Sequence, residues 1–155
     1  MVRQAGSGAG GSDGDPKLGK LARLGGSFAG RVGVQLLHSA DGVSRSRLPL
    51  EPWHFNNHQV VHGGVLFTLV DTCMGAALYS QLAPDELCAT IDVHISYLNA
   101  VTQGPLQCES RVLKRGKRVA HIEASVRVAD RLMATATGNF AIFARQPLSS
   151  TPKSE

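Results

Sequence analysis

The sequence is poor in paired cysteines, in aromatics and in long apolar runs, and each shortage removes a class of protein. Cys73, Cys88 and Cys108 are odd in number, far apart and contain no CxxC spacing. That leaves a zinc ribbon or a thioredoxin-like dithiol without support. A chain of 155 residues buries enough surface to fold as one domain without disulfide staples. Cys73 and Cys108, set among apolar or patterned residues, read as small core hydrophobes. Aromatic residues make up only 5% and the 16 Lys and Arg are scattered. A nucleic-acid module concentrates basic groups in a stripe and adds aromatics, so no nucleic-acid partner is expected. The net charge of +4 suits an anionic small ligand equally well. No apolar run approaches the ~18 residues that span a bilayer, and no membrane association is expected. No apolar segment of a secretory signal follows Met1-Val2-Arg3. With reduced thiols, this predicts a cytoplasmic protein.

Between two polar ends lies one domain. The first fifteen residues include glycines at 6, 8, 10, 11 and 14, too little apolar surface to offset ordering entropy. Residues 1–16 read as a flexible Gly-rich tail and 146–155 as a flexible C-terminal tail, leaving one domain over 17–145. Lys17 to Leu24 spaces Leu18, Leu21 and Leu24 as a short helix that Gly25-Gly26 would end. Phe28 to His38 alternates like a strand, with Val32, Val34 and Leu36 on one side. Asp41-Gly42 is a hairpin signal, and Val43 to Leu50 is the return strand.

The period then changes. From Gly63 to about Leu82, Val65, Leu66, Leu69, Val70, Cys73, Met74, Ala77 and Leu78 recur at helical spacing over more than one face. Such a helix is buried nearly all round. Gly64, Thr68, Asp71 and Gly75 form its narrow small-and-polar stripe. After it the period drops to two. Ala89, Ile91, Val93, Ile95 and Tyr97 point one way, and Thr90, Asp92, His94 and Ser96 the other. Segments 106–112, 120–128 and 132–143 alternate similarly, joined by short turns that imply an antiparallel meander. Two strands, one buried helix and four strands make an α+β layout, a sheet with one helix on a single face.

Chemistry concentrates between His54 and Asp71. Gly63-Gly64 opens the helix, where the first N–H groups lack intrahelical acceptors and the macrodipole is positive. Those N–H groups can polarise a carbonyl and hold an oxyanion; alternatively the glycines serve only tight helix–sheet packing. Asp71 stands mid-helix among Leu69, Val70, Cys73 and Met74, a costly place for a carboxylate unless it is paired or faces a cavity or an interface. His54, His58 and His62 are spaced by four, but Pro52, Asn56-Asn57 and Gly63-Gly64 argue against a helix there, so no metal site is expected. His94 and His121 fall on solvent-facing strand positions.

The run HxN…VVHGGVLFTLVDT, followed by ATIDVHISYL, resembles hotdog-fold acyl-CoA thioesterases, nearest to the phenylacetate-degradation type within the 4-hydroxybenzoyl-CoA thioesterase superfamily. The resemblance spans roughly residues 28–143. It implies a curved antiparallel sheet wrapped around the central helix, and hydrolysis of an acyl-CoA to free acid and coenzyme A. No cofactor is implied, since coenzyme A is part of the substrate. Asp71 matches the family's catalytic carboxylate, as nucleophile or as general base for water. Gly63 matches the carbonyl-binding amide, with Gly64 beside it on the substrate. Thr90 stands where relatives often carry Ser or Thr and would orient Asp71 or water; equally it is a strand residue suited by β-propensity. Asn56 matches the family's Asn before HGG and would orient water or bond the thioester; alternatively it is a turn former. His62 reads as a histidine of the active site that packs against or hydrogen-bonds the loop. Lys114, Arg115, Lys117 and Arg118 form a solvated turn that also suits coenzyme A phosphates.

Gly63 and Asp71 lie eight residues apart, ~12 Å along a helix axis. One carbonyl does not reach both within a protomer. A homodimer, or by family analogy a homotetramer, sharing its sites between chains resolves this. Gln59, where relatives often have Gly, and Asn99-Ala100, where they carry a Pro-containing step, depart from the pattern and leave the acyl group open. Two other readings share the fold: a non-catalytic acyl-CoA-binding protein, and a hydratase or dehydratase pairing His62 with Asp71.

Overall fold

The computed structural model describes residues 27–145. The two expected tails and the Lys17–Leu24 helix lie outside that range. Helix α1 (Phe28–Val32) leads into β1 (Gln35–Ala40) and β2 (Val43–Leu48). A 3-10 turn (Pro52–His54) precedes α2 (Gly63–Tyr79), followed by β3 (Glu86–Tyr97), β4 (Leu106–Arg115), β5 (Val119–Val128) and β6 (Arg131–Ala144). The strands form one antiparallel sheet in the order β1-β2-β4-β5-β6-β3. One face of it wraps α2, giving the α+β hotdog architecture.

The apolar periodicity of α2 explains its place. Leu69, Val70, Cys73, Met74, Ala77 and Leu78 are fully buried, and Leu48, Leu106, Ile122 and Val126 meet them from the sheet. Each large apolar side chain so buried contributes about 1.5–3 kcal/mol. Among the polar groups of this core, the Ser44 and Ser110 hydroxyls donate to the Cys73 carbonyl at 2.6 and 2.9 Å, while the buried Ser46 hydroxyl has no partner among the described residues. Cys73 and Cys108 are themselves buried in the core. The least buried stripe of α2 runs through Gly64, Thr68, Asp71 and Gly75, and it also carries Phe67, 39% exposed.

Four features differ from the sequence reading. Phe28–Val32 is helical, because Ser27 Oγ accepts the Gly30 N–H at 3.2 Å and Gly33 closes the turn at φ 95°. Local capping therefore outweighs the loose alternation, and β1 starts only at Gln35. The second strand stops at Leu48 and α2 at Tyr79, each short of the expected end. The late strands are not a simple meander: β3 crosses to the far edge and pairs with β6, while β4 lies against β2. Finally, the β3–β6 register shifts between Thr90 and Asp92, a bulge that leaves Ile91 55% exposed. The bulge changes which side chains share a face. Thr90 turns toward α2 on the same side as Val93 and Tyr97, whereas Asp92 lies with Asn139. Asp41-Gly42 is the hairpin turn the sequence indicates, with φ 50° and 77°. Those angles fit a two-residue turn with both central φ positive.

Candidate active site

The start of α2 is tightly tied. His62 is its N-cap, and its Nδ1 accepts the Gly64 N–H at 2.9 Å. The Val65 N–H donates to the His62 carbonyl at 2.9 Å, and the His62 N–H to the His54 carbonyl at 2.8 Å. The Tyr97 hydroxyl, at the end of β3, donates to the Gly63 carbonyl at 3.0 Å. Of the first three helical amides, two are engaged, and the Gly63 N–H meets no acceptor among the described residues. The Gly64 amide, expected to face substrate, is instead occupied by His62. An open N–H at the positive end of a helix is a ready donor to a carbonyl oxygen.

Two turns further along the same stripe, Asp71 is half-buried. Thr90 Oγ1 donates to Asp71 Oδ1 at 2.8 Å. Oδ2 has no hydrogen-bond partner among the described residues. Cys88, on the same strand, has its thiol pushed up by burial and then by the neighbouring Asp71 charge. It stays protonated at neutral pH. Gly63 touches Tyr97 at one end of β3 and Asp71 touches Thr90 nearer the other, so the chain does not bring Gly63 and Asp71 together by itself.

A cleft of about 260 Å³ opens beside Gly63, lined by Val60, Val61, Leu66, Tyr97, Leu98 and the 99–101 segment. The polar ends of Asn99 are turned to Leu132 and Arg131, leaving the cleft mostly apolar. Gln59, the first departure from the family pattern, adopts φ 59°, a region glycine enters without cost. Asn56 Oδ1 accepts the N–H groups of His58 and Val60 at 2.9 and 3.3 Å, so its oxygen shapes the loop. His54 is fully buried, with Nδ1 accepting the Glu51 N–H and Nε2 on the Val32 carbonyl, both at 2.9 Å. It fastens α1 to the loop. Among the described residues no three His, Cys, Asp or Glu side chains gather as a metal site.

At the β4–β5 hairpin Arg115 is paired with Glu86 at the start of β3, while Lys114, Lys117 and Arg118 are exposed. His121 lies on the outer face with Asn139. Sequence reasoning did not single out Tyr97 for the site. Tyr97 read as one more apolar-side residue of β3, and its hydroxyl was the available sign of a polar task.

Comparison with known proteins identifies the family. A model of the thioesterase superfamily matches residues 58–135, a span that holds His62, Gly63, Asp71, Thr90 and Tyr97. A Pseudomonas aeruginosa protein named as a candidate esterase is 31% identical over 94 residues, covering 60% of this chain and 70% of its own. The solved structure of a conserved protein from the same organism superposes with a TM-score of 0.73 at 38% identity, over 76% of this chain and 94% of that one. The E. coli protein of the phenylacetic acid degradation operon shares the fold, with a TM-score of 0.70 at 22% identity over 76% and 84% of the two chains. The chain therefore belongs to the thioesterase superfamily and is a thioesterase-type hydrolase.

Proposed function

We propose that the protein hydrolyses acyl-CoA thioesters, with each site built from two copies of the chain. The observation that carries this reading is the single stripe of α2 facing β3, which holds an open amide at Gly63 and a Thr90-bonded carboxylate at Asp71. The Gly63 N–H of one protomer takes the thioester oxygen, and Asp71 of the other either draws a proton from water or attacks the carbonyl. The C–S bond breaks, water supplies the acid's oxygen, and coenzyme A leaves as its thiol. No further cofactor enters.

The open edge supports a shared site. β3 is twelve residues long, ends the sheet and exposes Ile91 and Tyr97, with Leu98 exposed just beyond its end. A long, partly apolar edge invites pairing. With the bulge at Ile91, a two-fold centred on His94 would set Thr90 opposite the partner's Tyr97, and so Asp71 toward the partner's Gly63. A dimer of dimers is compatible with the same pairing. Lys114, Lys117 and Arg118 are the cations available to coenzyme A phosphates. Unpaired cysteines suit a cytoplasmic setting.

A hydratase would need His62 and Asp71 to act on one substrate. Nδ1 of His62 is spent on the helix cap, which leaves that ring one nitrogen fewer for acid–base work and disfavours that reading. The test is release of free thiol from acetyl-, hexanoyl-, palmitoyl- and benzoyl-CoA. Turnover of at least one is expected. Tight binding of these esters without turnover would favour a non-catalytic binder instead.

A further inference from the structure

We infer that Tyr97 is a positioning residue that holds the first turn of α2 in the conformation that presents the Gly63 N–H, an inference that rests on the thioesterase reading. Helix ends fray, and glycine is the poorest non-proline helix former. A helix that starts Gly63-Gly64 needs outside restraint to keep one amide aimed at a fixed point. The structure applies restraint to both ends of the Gly63–Gly64 peptide. Its carbonyl accepts the Tyr97 hydroxyl at 3.0 Å, and its N–H donates to His62 Nδ1 at 2.9 Å.

The ring adds a steric stop. A Cβ built on Gly63 would stand 3.1 Å from the Tyr97 hydroxyl oxygen and 3.2 Å from Cζ. Tyr97 therefore packs directly on the glycine as well as bonding its carbonyl. Burial pushes the phenol up from its ordinary value, so the hydroxyl remains a donor throughout the neutral range. An amide held in advance of reaction stabilises an oxyanion without reorganisation at the moment of attack. Removing the restraint lowers the rate of the chemical step more than the affinity for the ester.

Tyr97→Phe keeps the ring and deletes only the hydroxyl. Two readouts decide the matter in the full chain. The first is amide hydrogen exchange at the bonded Gly64 and Val65 amides, which should quicken several-fold in Tyr97→Phe while exchange in the middle of α2 is unchanged. The second is steady-state hydrolysis of whichever of the four acyl-CoA probes the wild type turns over fastest. Here kcat should fall about 5–10-fold, a modest part of the loss expected for deleting an oxyanion donor, with KM within about twofold. Unchanged exchange, or a kcat equal to wild type, would overturn the inference. A loss appearing only in KM would also overturn it, because that marks Tyr97 as a substrate contact. If the wild type hydrolyses none of the four, the thioesterase reading fails, while the exchange experiment still decides whether Tyr97 restrains the turn.

Discussion

The two ends of the α2 stripe are held very differently. At Gly63 the backbone is secured by His62, by Tyr97 and by the loop behind it, and a single amide is left open. At Asp71 one hydroxyl, from Thr90, holds one carboxylate oxygen, and the other oxygen is open. The first arrangement suits a group that must stay still while charge develops on its ligand. The second suits a group that must change its bonding during the reaction, either taking a proton or forming a bond. In the proposed site, restraint at one end and freedom at the other would divide the labour between holding the carbonyl and attacking it.

The largest expected effect comes from breaking the free end. Asp71→Asn keeps the size and removes the charge, so turnover should fall at least ~10²-fold, the lower end for a lost general base. A thermal melt close to wild type would show that the fold is intact. Near-normal turnover in that variant would move the chemistry away from Asp71. Next comes the restrained end. Gly63→Ala presses a methyl group on Tyr97 and tilts the amide, so kcat should drop by roughly 10–100-fold, short of complete loss of an oxyanion donor. Thr90→Ala frees Asp71 without removing it. A fall of about 3–10-fold is expected in kcat, less than for the loss of the base itself, with Thr90→Ser recovering most of it.

The smallest effect lies away from both ends. Glu86 is held below the usual carboxylate range first by the Ala83 N–H and then by Arg115. A depressed folded-state value means its contribution to stability is present above the unfolded-state value and disappears as pH falls through the folded one. Glu86→Gln should therefore lower the melting temperature slightly at pH 7, by about 1–2 °C as expected for an exposed pair. The gap from wild type should close below the ordinary carboxylate range. A gap that persists at low pH would contradict the assignment.

Much of the architecture was legible because it follows from periodicity. The apolar positions of α2 from Val65 to Leu78, the Asp41-Gly42 turn and the alternation of β4 to β6 each express one local rule. Three things escaped. The five-residue α1 depends on a Ser27 cap and a left-handed Gly33, which a loosely alternating Val32-Gly33-Val34 conceals. The placement of β3 beside β6 is a long-range pairing that no local pattern encodes. The bulge at Ile91 breaks the period of two, so Thr90 and Tyr97 share the face toward α2 although simple alternation sets them on opposite sides. The Thr90–Asp71 contact was foreseeable from the resemblance but not from the alternation. The Tyr97 contact with Gly63 joins residues 34 apart and becomes visible only when the strand is laid along the helix.

The claim with most at stake is that Gly63 and Asp71 act together across two chains. Co-expression of Asp71→Asn with Gly63→Val tests it most directly, since each variant alone should be inactive. In a mixed dimer with shared sites, one site receives both lesions and the other receives neither. Random pairing of equal amounts should then restore about a quarter of wild-type activity, as two-fold symmetry requires. A mixture no more active than its two components would contradict the shared site and return the whole reaction to a single chain.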